Sequence, residues 1–78
     1  MQSARNIIAQ AAGVPVDQVI VVSATVVEWT DTCLGVYPPG QVCGPALIPG
    51  YRVILRVGTQ NYEAHTNQDG SIVVWLLL

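Results

Sequence analysis

YRVILRV (residues 51–57), GT (58–59) and QNYEAHT (60–66) decide the fold. In the first run Tyr51, Val53, Leu55 and Val57 point one way, and Arg52 and Arg56 the other. A period of two is the mark of a half-buried strand. Gly58-Thr59 fits a tight hairpin turn, because glycine takes the positive φ such turns require. The return run puts Tyr62 and Ala64 on the same inner face and Asn61, Glu63 and His65 on the outer one. Two antiparallel strands with one apolar face need a covering layer.

Upstream, VIVVSATVVEW (19–29) is dense in β-branched residues and reads as another strand. Its strict alternation would place Ile20, Val22, Ala24 and Val26 on one face, and Val21, Ser23, Thr25, Val27 and Trp29 on the other. Before it, Ala4, Ile7, Ile8 and Ala11 fall at i, i+3, i+4 and i+7, the apolar stripe of a short helix over 3–12. Ser3 can cap it, and Gly13 with Pro15 can stop it. A helix of about ten residues is marginal alone and must dock on the sheet. Downstream, Asn67 to Gly70 reads as a second turn and Ile72 to Leu78 as the last strand. The spacing therefore predicts a single α+β domain over residues 1–78. One N-terminal helix packs on a four-stranded, mainly antiparallel sheet. Residues 30–50 hold four of the five prolines and four of the seven glycines, which marks a long ordered loop.

The chain has 78 residues, 51% of them hydrophobic and 10% charged, with no Phe. A core this small needs extra stabilisation, and Trp29, Trp75, Tyr51 and Tyr62 must be its large pieces. The net charge is −2, with three Arg and no Lys. Arg5, Arg52 and Arg56 cannot make the basic patch that nucleic acid or an anionic membrane requires, so neither is an expected partner. No segment is long enough for a transmembrane helix. MQSARNII is no signal peptide. If the domain is exported, the sequence is a processed or excised piece and Met1 an expression start.

Cys33 and Cys43 enclose nine residues, LGVYPPGQV. A disulfide is the expected state, because two free thiols beside a Pro-Pro-Gly loop are a poor exposed surface, and it implies an oxidising compartment. With one His, the chain lacks four ligands at zinc-like spacing, and there is no Cys-x-x-Cys. No metal and no cofactor are expected. One reading of the ring is a recognition loop, stiffened by Pro38 and Pro39 and displaying Leu34, Val36 and Tyr37. Serine-protease inhibitors often present their reactive segments in this way. The other reading is a staple that replaces missing core, with Leu34 and Tyr37 tucked inward.

His65 reads as a surface residue. Ser3, Ser23 and Ser71 lack a nucleophile-elbow context, Glu28 and Asp31 read as strand-end solvation, and no glycine-rich phosphate loop is present. The chain is not expected to be an enzyme. Trp29 and Trp75 read as packing rather than as a stacking platform. The last strand, IVVWLLL (72–78), is apolar on both faces, where a one-layer sheet should be wet on one. Ile72, Val74, Trp75, Leu76, Leu77 and Leu78 thus form a candidate assembly surface.

WTDTCLG (29–35), GQVC (40–43), PGYRV (49–53) and YEAHTN with Gly70 (62–70) together resemble a small domain of exported bacterial proteins and lipoproteins. That group has no assigned activity, so the resemblance implies fold and compartment rather than chemistry. The helix followed by a curled sheet is similar to cystatin-like and PepSY-type layouts. The cystatin Gln-Val-Gly hairpin is replaced here by Val57-Gly58-Thr59-Gln60. The segment from Pro49-Gly50 to Thr66-Asn67, Asp69-Gly70 and Ile72 resembles small bacterial serine-protease inhibitors. These readings lead to two expectations. One is an extracytoplasmic, non-enzymatic binding domain presenting loop 33–43 to a protein partner, as a protease inhibitor would. The other is a self-assembling subunit that packs through its C-terminal strand.

Overall fold

The computed structural model describes residues 2–78. A helix α1 (Gln2–Ala12) leads through a 3-10 turn (Val16–Gln18) into four strands, β1 (Ile20–Asp31), β2 (Pro45–Val57), β3 (Gln60–Asn67) and β4 (Val73–Leu77). The strands pair in chain order, β1-β2-β3-β4, and every pairing is antiparallel. The α+β layout matches the expectation.

α1 begins at Gln2, so Ser3 lies inside its first turn rather than at its cap. Its buried face is Ala4, Ile8 and Ala9, with Ala12 and not Ala11 as the fourth contact. The stripe is rotated from the one expected because positions i, i+4, i+5 and i+8 also share a helix face. The end is a Schellman closure: Gly13 takes φ 71°, the Val14 amide donates to the Ala9 carbonyl, and the Gly13 amide donates to the Gln10 carbonyl. Arg5 then ties helix to turn by donating to the carbonyls of Val16 and Val19.

The helix lies over β2, β3 and β4. Ala4, Ile8 and Ala9 close on Val19, which precedes β1, and on Val53, Leu55, Tyr62 and Ala64 from the inner face expected of the β2–β3 hairpin. Eleven helical residues span only about 16 Å, whereas the molecule, with the thirteen-residue β2 in it, extends 35 Å along its longest axis. One end of the sheet therefore extends past its cover. Val26 and Leu47 lie exposed there.

Two readings of the strands change. The register slips between Val21 and Ser23, so Val21 faces Leu55 while Ala24, not Ser23, faces Val53. A bulge at Val22 thus breaks the strict alternation expected of β1 and puts Val21 and Ala24 on one face. Residues 45–50 are also the start of β2, not loop, and pair with the end of β1. β3 ends opposite Gly50, so Pro45 and Pro49 occupy edge positions, the places in a sheet that accept proline.

Candidate functional site

The site lies on the sheet face opposite the helix, where β1 hands over to the ring. Cys33 and Cys43 are disulfide-bonded, with Cα atoms 5.5 Å apart. The Thr32 amide donates to the Gly44 carbonyl, and the Gly44 amide donates to the Thr32 hydroxyl, which closes the ring's neck a second time. Asp31 organises the base. Its Oδ1 accepts the amides of Cys33 (2.9 Å) and Gly35 (3.1 Å), and its Oδ2 accepts the Tyr37 hydroxyl (2.6 Å). The Tyr37 hydroxyl, then the Gly35, Cys33 and Leu34 amides, hold the Asp31 carboxyl below the ordinary carboxylate range. Reciprocally, Asp31 pushes the Tyr37 hydroxyl up from its ordinary value.

Leu34 is a correction. The ring does not display it: the side chain is fully buried, 0% exposed. It takes a left-handed φ of 55°, followed by Gly35 at 79°. Such a backbone is costly for a leucine and persists where its surroundings over-determine it. Here burial of the side chain and Asp31's grip on the flanking amides do so. Val36 is half-buried, while Tyr37, Pro38 and Pro39 are exposed as expected. Tyr37 is 67% exposed, so it is not tucked inward. Val42, which the sequence reading passed over, is 93% exposed.

His65 is the second correction. It lies on the outer sheet face, yet it is only 6% exposed because the ring covers it. Its imidazole stacks on the Trp29 indole at 4.2 Å between centroids and 22° between planes. Nδ1 lies 2.6 Å from the Leu34 carbonyl oxygen, and Nε2 lies 2.6 Å from Glu63 Oε2. Glu63 Oε1 in turn pairs with Arg52 at 3.1 Å. Hydrogen bonding from His65, then from Arg52, holds the Glu63 carboxyl below its ordinary value. Both ring nitrogens are thus occupied, by a carbonyl and a carboxylate rather than by a hydroxyl.

Gly50 makes the arrangement possible. It sits in β2 between Val27 and Asn67, and a Cβ there would run into the Thr66 carbonyl. That same carbonyl accepts the Trp29 indole N–H at 2.9 Å, so the indole reaches from β1 to the backbone of β3. No sequence pattern announced this link, although a glycine inside a strand run is the signal for a close approach.

Beyond Gly50, Ile48, Pro49, Asn67, Gln68 and Asp69 line an open cleft of about 410 Å³. Asn67 Oδ1 accepts the Ile72 amide and its Nδ2 donates to the Ser71 hydroxyl, which fixes the turn before β4. On β4 the expected assembly residues divide. Val74 and Leu76 are half-buried, and Ile72, Leu77 and Leu78 are exposed. Trp75 is not a core residue: it stands at the rim, more than a third exposed, with its ring edge-on to Tyr62 at 5.7 Å. Among the described residues no cluster of His, Cys, Asp or Glu is placed to hold a metal ion. No helix among them is long and apolar enough to cross a membrane.

Fold and site together define a disulfide-stapled α+β domain with an ordered, outward-facing ring. Residues 1–75 match the family described as Domain of unknown function (DUF8738), and the chain belongs to that family. No curated protein and no solved structure matches it.

Proposed function

We propose that this is a non-enzymatic binding domain of an extracytoplasmic protein, and that the ring from Cys33 to Cys43 carries its recognition surface. The supporting observation is the contrast between the ring's fixed base and its bare tip. Disulfide, Asp31 and His65 hold the base, while Tyr37 and Val42 stand largely in solvent. Ordering a loop beforehand lowers the entropy lost on binding. The ring carries no charged residue, which suits an apolar groove on a protein partner. A secreted protease whose cleft accepts the Tyr37–Val42 tip is the sharper version of this reading. The compartment is argued from the disulfide, which persists where thiols are not kept reduced.

The test is inhibition of a panel of secreted proteases by the intact domain and by Tyr37→Ala and Val42→Ala variants. Inhibition lost in both variants supports the protease version. Inhibition that survives both substitutions rejects the tip as the contact. No inhibition by the intact domain removes the protease version.

A second reading, a self-assembling subunit, has its own observation. Among the described residues β4 is a sheet edge without a neighbour, and Ile72, Trp75, Leu77 and Leu78 are exposed in and beside it without the Lys or Pro that commonly blunts such edges. Light scattering over a wide concentration range decides: growth of molar mass that Trp75→Lys abolishes supports it, and a constant monomer mass rejects it.

A further inference from the structure

His65 joins the ring to the sheet in a way that depends on how many protons its imidazole carries. The Leu34 carbonyl and the Glu63 carboxylate both present acceptor oxygens, at 2.6 Å from Nδ1 and Nε2. Only the imidazolium has an N–H on each nitrogen, whereas the neutral ring has one. The remaining neighbours offer no replacement donor for the Leu34 carbonyl. Arg52, across from His65 on β2, is engaged with Glu63. Trp29, from β1, stacks on the ring and gives its N–H to Thr66. Val74 of β4 is apolar. Asp31, the other charge at the ring's base, is an acceptor already holding Cys33, Gly35 and Tyr37.

We propose that His65 is a proton-controlled latch on the disulfide ring. With two N–H groups the imidazolium binds ring and sheet at once. When one proton leaves, the remaining N–H stays with the carboxylate, because charge-assisted hydrogen bonds are the stronger ones. Nδ1 then turns a lone pair toward the Leu34 carbonyl, and the ring's base lifts from Trp29 and His65. Docking is therefore complete at the acidic side of the imidazole's titration and is lost as pH rises through it. A lower limit is set where Glu63 itself becomes protonated. The disulfide keeps the ring covalently closed throughout, so its docking and the hydrogen bonds at its base change while its covalent shape does not. As a control on presentation of Tyr37 and Val42, the latch rests on the binding reading given above. The latch itself needs no partner to be observed.

The measurement is nuclear magnetic resonance on the 15N-labelled domain between pH 5 and 8.5. It follows the His65 ring nitrogens and the protection of the Leu34, Gly35 and Val36 amides, corrected for intrinsic exchange. The expected result is an N–H on both ring nitrogens at pH 5. Protection at the three amides then falls roughly ten- to a hundredfold as one ring proton is lost. Val53 and Leu55 hold their protection throughout. In His65→Gln, whose side chain cannot titrate, the pH dependence disappears while Val53 and Leu55 report an intact sheet. Protection at 34–36 that stays level while the wild-type ring titrates overturns the latch. So does a ring that keeps both protons to pH 8.5, or an unchanged fall in His65→Gln. None of these outcomes touches the binding reading, which is decided by the protease panel.

Discussion

On the helix side of the sheet, Ala4, Ile8, Val53, Leu55, Tyr62 and Ala64 shed water against one another. On the ring side, Leu34, Trp29 and His65 are gathered by a disulfide, an indole N–H and a doubly hydrogen-bonded imidazole. Apolar burial is non-directional, whereas the ring side is held by a disulfide and by contacts to both nitrogens of one imidazole. The same four strands thus carry one face closed by apolar packing and one covered by a stapled, hydrogen-bonded loop.

The comparison breaks most sharply on the helix side. Leu55→Ala leaves a hole under α1 and is expected to cost about 3 kcal/mol in urea unfolding. If the loss is below about 1 kcal/mol, the helix-side cluster is not the main source of stability. Next in size is removal of the staple. Cys33→Ser with Cys43→Ser is expected to cost about 2.5–3 kcal/mol through release of the closed loop. The protein should still fold, keeping amide protection at Val53 and Leu55 and losing it at Leu34 to Val36. Global unfolding would show that the two faces are one cooperative unit.

Trp29→Phe keeps an aromatic ring over His65 but removes the N–H to Thr66, and should cost about 1–2 kcal/mol by thermal melting. Tyr37→Phe is the smallest change. It leaves global stability within error and moves the acid titration of Asp31 up toward the ordinary carboxylate range, read by 13C resonance. The sign follows from the lowered carboxyl: its contribution to ring order is full above the unfolded pKa and is lost as pH falls through the folded one. Without the Tyr37 hydroxyl that loss sets in at higher pH. An unmoved titration would mean that the backbone amides alone hold the carboxylate.

What was legible in the sequence follows from how local each signal is. The β2–β3 hairpin rests on strict alternation around Gly58, which takes φ 59°, and its inner face was read residue for residue. The helix rests on spacing within one turn, so it was found, though rotated toward Ala9 and Ala12. Residues 45–50 were misread because Pro45, Pro49 and Gly50 suppress every local strand signal. Their pairing with β1 and the close approach at Gly50 are non-local facts. His65 failed for the same reason, and for Leu34 the local signals left the displayed and the inward placements both open. Alternation gives the face of a strand, and it did place His65 on the outer one, but it cannot report that a ring thirty residues earlier in the chain folds back over it. The two-sided hydrophobicity of the last strand and the staple reading of the ring were the hints of a second cover, and that cover reaches His65 while leaving Ile72 bare.

The order of the strands has a kinetic consequence. Because sheet order equals chain order, each strand can add to its predecessor, and none must be inserted between two already paired. The β2–β3 closure is short, and its two-residue turn at Gly58 can form within microseconds. The register of β1 with β2 by itself sets Cys33 beside Cys43. Oxidation should record that this hairpin has formed rather than guide it there, and a chain kept reduced during synthesis would reach the same register and wait for its bond.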